Sequence, residues 1–288
     1  MSQKYKARGI ILKGSSLKEN DRLVTVLTPE YGLIRAVAPG AKKHKSSLRG
    51  RTQLFVINDL LLIRGKSLDK LIQADTIYTY PGLSRDIGKL ASAQYLAELS
   101  LFLAVDEQPQ AELYELLNEH LQRIERTAKD EPIYPYLAQA VFHLIAIAGL
   151  TPQVFNCCLT KKAIALNFAT SGWNAGFSFE GGGIVDLEAW QNIQQQQKKY
   201  PDEDAEVRYN NRLPKINDRL GAVELAILQQ LRQYDLPTWK NDRQLNSTVT
   251  DLDRAWIRVE KILREYIQYH IGKTIRSANL VESLYVEF

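Results

Sequence analysis

The chain has 288 residues, 45% of them hydrophobic and 24% charged, with a formal net charge of +4 at pH 7. That balance excludes an intrinsically disordered chain, and the length suffices for two domains or for one domain with a satellite. No apolar run approaches the roughly 20 residues of a membrane-spanning helix; the longest, AVFHLIAIAGL at 140–150, has the length of a core helix.

Charge is laid out unevenly. Residues 1–80 carry 15 Lys and Arg against 6 Asp and Glu, the remainder 22 against 27, so a polyanionic partner, nucleic acid or a membrane surface, is expected of the N-terminal part. The opening MSQKYKARG is polar and basic and lacks the apolar stretch and cleavage site of a signal peptide. Two cysteines, adjacent at Cys157 and Cys158, cannot staple a fold in the usual way, which agrees with a reducing compartment and a cytosolic location.

In chain order, KARGIILK, RLVTVLT, LIRAVAP, LFVINDLLLI and LDKLIQADTIY read as strands, with TPEYG at 28–32 as the hairpin turn between the second and third. Five short strands in about 80 residues suit a small closed barrel. The connection between the third and fourth strands, expected to run from Pro39 and Gly40 to Gln53 and Leu54, holds APGAKKHKSSLRGR, a stretch without a single acidic residue. At Pro81 and Gly82 the period changes. SRDIGKLASAQYLAELSLFLAV, AELYELLNEHLQRI and YLAQAVFHLIAIAGL repeat their apolar residues at helical spacing, with Pro109, Pro132 and Pro135 near the junctions. After Thr151 short strand-like pieces alternate with glycines, then a Gln-rich charged run, QNIQQQQKKYPDEDAE, reads as a helix end passing into a surface loop. Helices resume with GAVELAILQQLRQY and TVTDLDRAWIRVEKILREYIQYHIG. No repeat period suggests a solenoid.

Enzymatic chemistry finds little support. RGKS at 64–67 and IGKT at 271–274 resemble the tail of a phosphate-binding loop, but the required upstream glycine is replaced by Leu60 and Ile267, and neither context is strand-to-helix. His44, His120, His143 and His270 are scattered, and His143 in its apolar helix reads as a satisfied core residue. No nucleophile elbow occurs. Asp202, Glu203 and Asp204 fall in the polar loop and read as solvated charge. Cys157 and Cys158 lack the second pair that a zinc site requires. Gly181, Gly182 and Gly183 read as a tight turn, or as a place where backbone comes close to a ligand.

The basic stretch remains. Acidic residues are absent from Tyr31 to Asn58, and Arg8, Arg22 and Arg35 add charge nearby. Lys and Arg neutralise phosphates and release counterions, and Ser46, Ser47 and Thr52 offer hydroxyls to phosphate oxygens. With only Tyr31 and Phe55 at hand, phosphate contacts should outweigh base stacking.

The segment ARGIILKGSSLKENDRLVTVLTPEYGLIRAVAPGAKKHKSSLRGRTQLF, then GLTPQVFNC and FSFEGGG, then LREYIQYHIGKTIRS, in this order and spacing, resemble the RecO family of bacterial recombination mediators over nearly the whole chain. The resemblance implies an α+β protein: a five-stranded oligonucleotide-binding (OB) barrel over 1–80, and a mainly helical domain over 81–288 with a degenerate zinc-finger-like subdomain at about 151–200. It implies no catalytic site and no cofactor. The activity implied is DNA repair and recombination after DNA damage: binding single- and double-stranded DNA, annealing complementary strands and, with RecR, helping RecA to replace the single-stranded-DNA-binding protein. An OB-fold RNA-binding protein is the alternative. Location is expected to be cytoplasmic, at the nucleoid. By resemblance the leading DNA contacts are Arg35, Lys42, Lys43, Lys45, Arg49 and Arg51. The coating protein's acidic, apolar-ended tail calls for an apolar groove rimmed by Lys or Arg, for which the helices at 85–149 and 249–271 are candidates. Many members hold zinc on two Cys-x-x-Cys pairs; here Thr160 stands at the second position and no cysteine follows Gly183. Packing of Phe168, Trp173, Phe177 and Phe179 is expected in the metal's place.

Overall fold

The computed structural model describes residues 3–170, 172–199, 213–236 and 249–285; Asp202, Glu203 and Asp204 lie outside them. Two compact units emerge, residues 1–136 with 275–288, and residues 137–274.

The first unit is built on strands β1 (Lys4–Ser16), β2 (Arg22–Thr28), β3 (Gly32–Ala38), β4 (Ile57–Ile63) and β5 (Asp69–Tyr78). They close into a barrel in the order β1-β2-β3-β5-β4. Alternation decides which side chains enter it on four strands, where Ala7 and Ile11, Val24 and Val26, Ile34 and Ala36, and Leu60 and Leu62 join the interior cluster; on β5 a bulge between Leu71 and Gln73 brings Leu71 and Ala74 to the same side. The β2–β3 hairpin turns as its sequence predicts, with Thr28 opposite Gly32. Closure depends on a short parallel seam between β3 and β5, Ala36 opposite Asp69 and Val37 opposite Lys70.

The fourth strand begins later than its apolar run suggests. Leu54, Phe55 and Val56 precede it, and Phe55 is buried with φ 63, a left-handed backbone unfavourable for a residue with a Cβ. A one-turn helix, α1 (Leu48–Arg51), not evident in the sequence, interrupts the basic connection. Around the barrel lie α2 (Ile87–Leu103), capped by Asp86 accepting from the Lys89 N–H at 2.9 Å, and α3 (Ala111–Arg126). Leu96 and Leu99 of α2 and Leu117 and Leu121 of α3 are fully buried.

The helix α4 (Tyr134–Ile147) leads into the second unit. There β6 (Asn174–Ser178) and β7 (Gly183–Val185) form a hairpin, α5 spans Leu187–Lys199, and β8 (Asp218–Gly221) pairs with the far side of β6. Helices α6 (Ala222–Gln230) and α7 (Val249–Ile271) follow. His143 is a satisfied residue as expected, its Nε2 lying 2.7 Å from the Leu231 carbonyl oxygen. A final helix, α8 (Ala278–Tyr285), belongs to the first unit and is tied to α2, where Glu98 accepts from the Ser277 N–H at 2.8 Å and from its hydroxyl.

The glycines make the tight turn expected of them, and the close backbone approach they allow is to the chain's own Gln153 rather than to a ligand. Gly183 has φ 151 and lies against Gln153, where a Cβ would run into the Gln153 carbonyl. The Gln153 N–H donates to the Gly182 carbonyl at 2.8 Å and the Ile184 N–H to the Gln153 carbonyl at 2.9 Å.

Candidate nucleic-acid interface

The basic connection from β3 to α1 is a pegged strap. Gly40, with φ 64, turns the chain off β3. Its N–H donates to Asp21 Oδ1 at 2.9 Å, and the Lys42 N–H donates to the Asn20 carbonyl at 3.0 Å, so the strap starts flat against the β1–β2 connection. Successive turns carry it on, Lys43 to Gly40 and Ser46 to Lys43. Ala41 and Leu48 enter the barrel interior, whereas Lys42, Lys43, Lys45 and Arg49 stay exposed. Apolar residues thus fix the strap and cations face water.

Side chains lock its far end. The Thr52 hydroxyl donates to the Leu48 carbonyl at 2.8 Å, the Gln53 amide to the Arg49 carbonyl at 3.0 Å and the Asn58 amide to the Arg51 carbonyl at 2.9 Å, which satisfies carbonyls that a one-turn helix leaves open. Thr52 is fully buried in this role, so it is not available to a phosphate as its hydroxyl suggests. Ser46 Oγ accepts from the Leu48 N–H at 3.3 Å.

The six cations named from the sequence are not equivalent. Among the described residues no carboxylate lies within ion-pair range of Lys42, Lys43, Lys45, Arg49 or Arg35. Arg51 is different: Asp75 of β5 approaches it at 3.5 Å. Arg35 stands on the outer face of β3, opposite Thr25, exposed but apart from the strap. Of the supporting arginines, Arg8 is paired with Asp59 at 3.0 Å and the pair lines a cleft that also holds Glu30, Asp75 and Glu115, so the β1–β4 side of the barrel offers a polyanion little. Arg22 lies across Gly14, whose missing Cβ leaves it room. The aromatic neighbours do not present faces to bases. Phe55 is 5% exposed, and Tyr31 is half-buried edge-on against Tyr5 at 5.2 Å.

Lys66 and Arg64, read in the sequence only as part of a failed phosphate loop, come up beside Arg35. The signal that could have found them is positional, since the β4–β5 loop of an OB barrel is one of its binding loops.

In the second unit the metal-site residues do not fit zinc. Cys157 is 1% exposed and its Sγ accepts from the Asp186 N–H at 3.2 Å. Burial pushes this thiol up, but hydrogen bonds from Asp186, Thr160 and Leu159 outweigh it and bring it below its ordinary value. One hydrogen-bonded sulfur with Thr160 at the next position is not the four-donor set a structural zinc needs, and among the described residues no group of three His, Cys, Asp or Glu is placed to hold a metal. Apolar packing occupies the region, though not with the membership expected. Phe177 and Phe179 are buried and meet Tyr266 edge-on at 5.8 and 6.2 Å; Trp173 is half-buried, and Phe168 is 40% exposed, outside the cluster.

A closed barrel of this strand order with an exposed cationic strap defines an OB-fold protein suited to polyanion binding. Comparison with known proteins agrees and is more specific. Residues 1–80 match the family model "Recombination protein O N terminal" and residues 84–189 match "Recombination protein O C terminal". The chain is 57% identical over 284 residues to the DNA repair protein RecO of Gloeothece citriformis, covering 99% of this chain and 98% of that one. It is 50% identical over 297 residues to the DNA repair protein RecO of a Nostoc species, covering 99% and 97%, and 44% identical over 285 residues to that of a Synechocystis species, covering 99% and 98%. The chain belongs to the RecO family of DNA repair and recombination proteins.

Proposed function

We propose that the chain acts by binding rather than by catalysis, as a recombination mediator. It holds single- and double-stranded DNA on the barrel through Lys42, Lys43, Lys45 and Arg49, with Arg35 and the partly neutralised Arg51 as flanking contacts. It anneals complementary strands and, with RecR, helps RecA to displace the single-stranded-DNA-binding protein, whose acidic tail it engages, at the nucleoid. The observation that carries this reading is the strap itself, whose buried pegs at Ala41 and Leu48 project unpaired cations outward. Holding phosphates without stacking bases leaves the base edges free to pair, which annealing requires.

The test is an annealing assay with two complementary oligonucleotides, one fluorescent and one quenching. The parent protein is expected to speed annealing of strands coated with single-stranded-DNA-binding protein, and a Lys42→Ala, Lys43→Ala, Lys45→Ala variant to lose most of that acceleration. A parent protein that leaves the annealing rate at its spontaneous value would sink the proposal.

A further inference from the structure

The long helix α7 of the second unit carries a buried stripe, Val259, Ile262, Leu263, Tyr266 and Ile267, each 3% exposed or less. Three and four residues past Tyr266, Tyr269 and His270 continue that stripe, yet Tyr269 is 54% exposed and His270 also faces solvent. The stripe thus runs beyond the body it packs on, and the residues on its overhang are aromatic. Neighbouring rings hold them in place. Tyr266 meets His270 edge-on at 4.4 Å, His270 meets Tyr269 at 5.2 Å with the rings perpendicular, and Phe179 lies 6.0 Å from Tyr269. Phe179 and Tyr266 are buried and touch each other, so Tyr269 is braced by a fixed scaffold. A ring already held this way gives up little side-chain freedom when a ligand covers its open face.

Cations adjoin the overhang. In the turn that begins at Cys157 the Cys157 N–H donates to the Lys162 carbonyl at 2.8 Å and the Lys161 N–H to the Cys157 carbonyl at 2.9 Å, with Lys161 at φ 60. The Cys158 N–H donates to the Ile184 carbonyl at 2.8 Å, and Ile184 lies opposite Phe177, which fastens the turn to the sheet whose Phe177 ring meets Tyr266. Electrostatics place Lys161 on the aromatic side. Burial and then Cys157 push the Cys158 thiol up, the Lys161 ammonium opposes them, and the same thiol adds to the burial that raises the Tyr266 phenol. Lys161 and Lys162 are exposed, with no carboxylate in ion-pair range among the described residues. Gly272, with φ 63, turns the chain off α7, and exposed Lys273 follows. On the helix Glu265 is matched by Lys261 at 3.9 Å, so these lysines stand against Glu180, the exposed carboxylate that follows Phe179.

We infer that Tyr269 is a base-stacking contact for single-stranded DNA on the second unit, braced by Phe179 and His270 and with Lys161 beside it for an adjoining phosphate. A braced ring with an open face among lysines is the combination that suits single-stranded nucleic acid, whose every base has a π-face and every link a charge. The inference rests on the chain being a DNA-binding protein. It differs in kind from the strap, which takes phosphates where Tyr269 takes a base. A ring on the face of one base leaves its pairing edge open, so this contact is compatible with annealing.

The experiment measures affinity across a salt series for two fluorescent probes, an oligothymidine and an abasic oligonucleotide of equal length. The proteins are the full chain and its Tyr269→Ala, Tyr269→Trp and Lys42, Lys43, Lys45 triple alanine variants. Tyr269→Ala is expected to weaken oligothymidine binding about tenfold at every salt concentration. The slope of log affinity against log salt should stay at the parent value, because no phosphate contact is lost. The abasic probe should bind Tyr269→Ala and the parent equally, and Tyr269→Trp should keep or exceed the parent's affinity for oligothymidine. Unchanged oligothymidine affinity in Tyr269→Ala overturns the inference and leaves this face to a protein partner. An equal loss on both probes also overturns it, since that marks a structural role. A parent that binds neither probe overturns the inference together with the reading it rests on, whereas affinity lost in the triple variant alone sinks Tyr269 and leaves that reading standing.

Discussion

Replacing Leu48 by alanine should detach the strap while leaving every cation in the chain. Leu48 is 7% exposed and belongs to the barrel's interior cluster, where α1 packs against β5. Three carbon atoms are lost, worth about 2.4 kcal/mol at roughly 0.8 kcal/mol per methylene. The cavity brings the total to about 3 kcal/mol. Against this, α1 is four residues long and has no stability of its own. The hydrogen bonds from the Arg49, Thr52 and Gln53 N–H groups contribute about 1 kcal/mol each. With the side-chain hydrogen bonds of Thr52, Gln53 and Asn58 these total about 6 kcal/mol, so losing about 3 kcal/mol removes about half of what holds the segment, which should open locally more often while the rest of the barrel persists. Hydrogen exchange would show it. The Thr52 amide, bonded to the Leu48 carbonyl at 3.0 Å, should exchange about 100-fold faster or more, with little change at Val24 or Leu62. Reordering the strap on DNA then weakens single-strand affinity by about tenfold. Leu48→Met, which conserves volume, should retain most of both properties. Unchanged Thr52 exchange in Leu48→Ala would refute the peg, and fast exchange with full affinity would refute the link from order to binding.

Two further outcomes are expected from the second unit. Because one hydrogen-bonded thiol is not a zinc site, prolonged chelator treatment should leave the melting temperature within about 1 °C of the untreated protein, with metal analysis finding far less than one zinc per chain; a large drop, or one zinc retained, would refute this. Burial and the nearby Cys158 raise the Tyr266 phenol to about 12. A raised pKa stabilises the protein fully below the unfolded value near 10 and is lost as pH climbs through the folded one, so stability should fall between about pH 10 and 12, and Tyr266→Phe should flatten that fall.

The barrel was legible because its information is local. Each strand alternates over its own few residues, and Thr28 to Gly32 carries its own turn chemistry. The parallel seam of β3 with β5 was not legible, since Ala36 and Asp69 meet only after the barrel closes. The same holds for β8, where Leu220 alone is buried and pairing with Ala175 defines the strand, and for α1, too short to show a period. Within the candidate interface the basic run from Lys42 to Arg49 and its exposure could be read directly. Its qualification could not: Asp75 neutralises Arg51 from another strand, and Asp59 does so for Arg8 across 51 positions. Thr52 was misread because a hydroxyl in a basic segment looks the same whether it faces solvent or caps a carbonyl.

We propose that the strap between β3 and β4 holds DNA by its phosphates. Its most direct test is the salt dependence of single-stranded oligonucleotide affinity for the parent chain against the Lys42→Ala, Lys43→Ala, Lys45→Ala variant. Three lost contacts should flatten the slope of log affinity against log salt by roughly two. Parallel lines for the two proteins would contradict the claim.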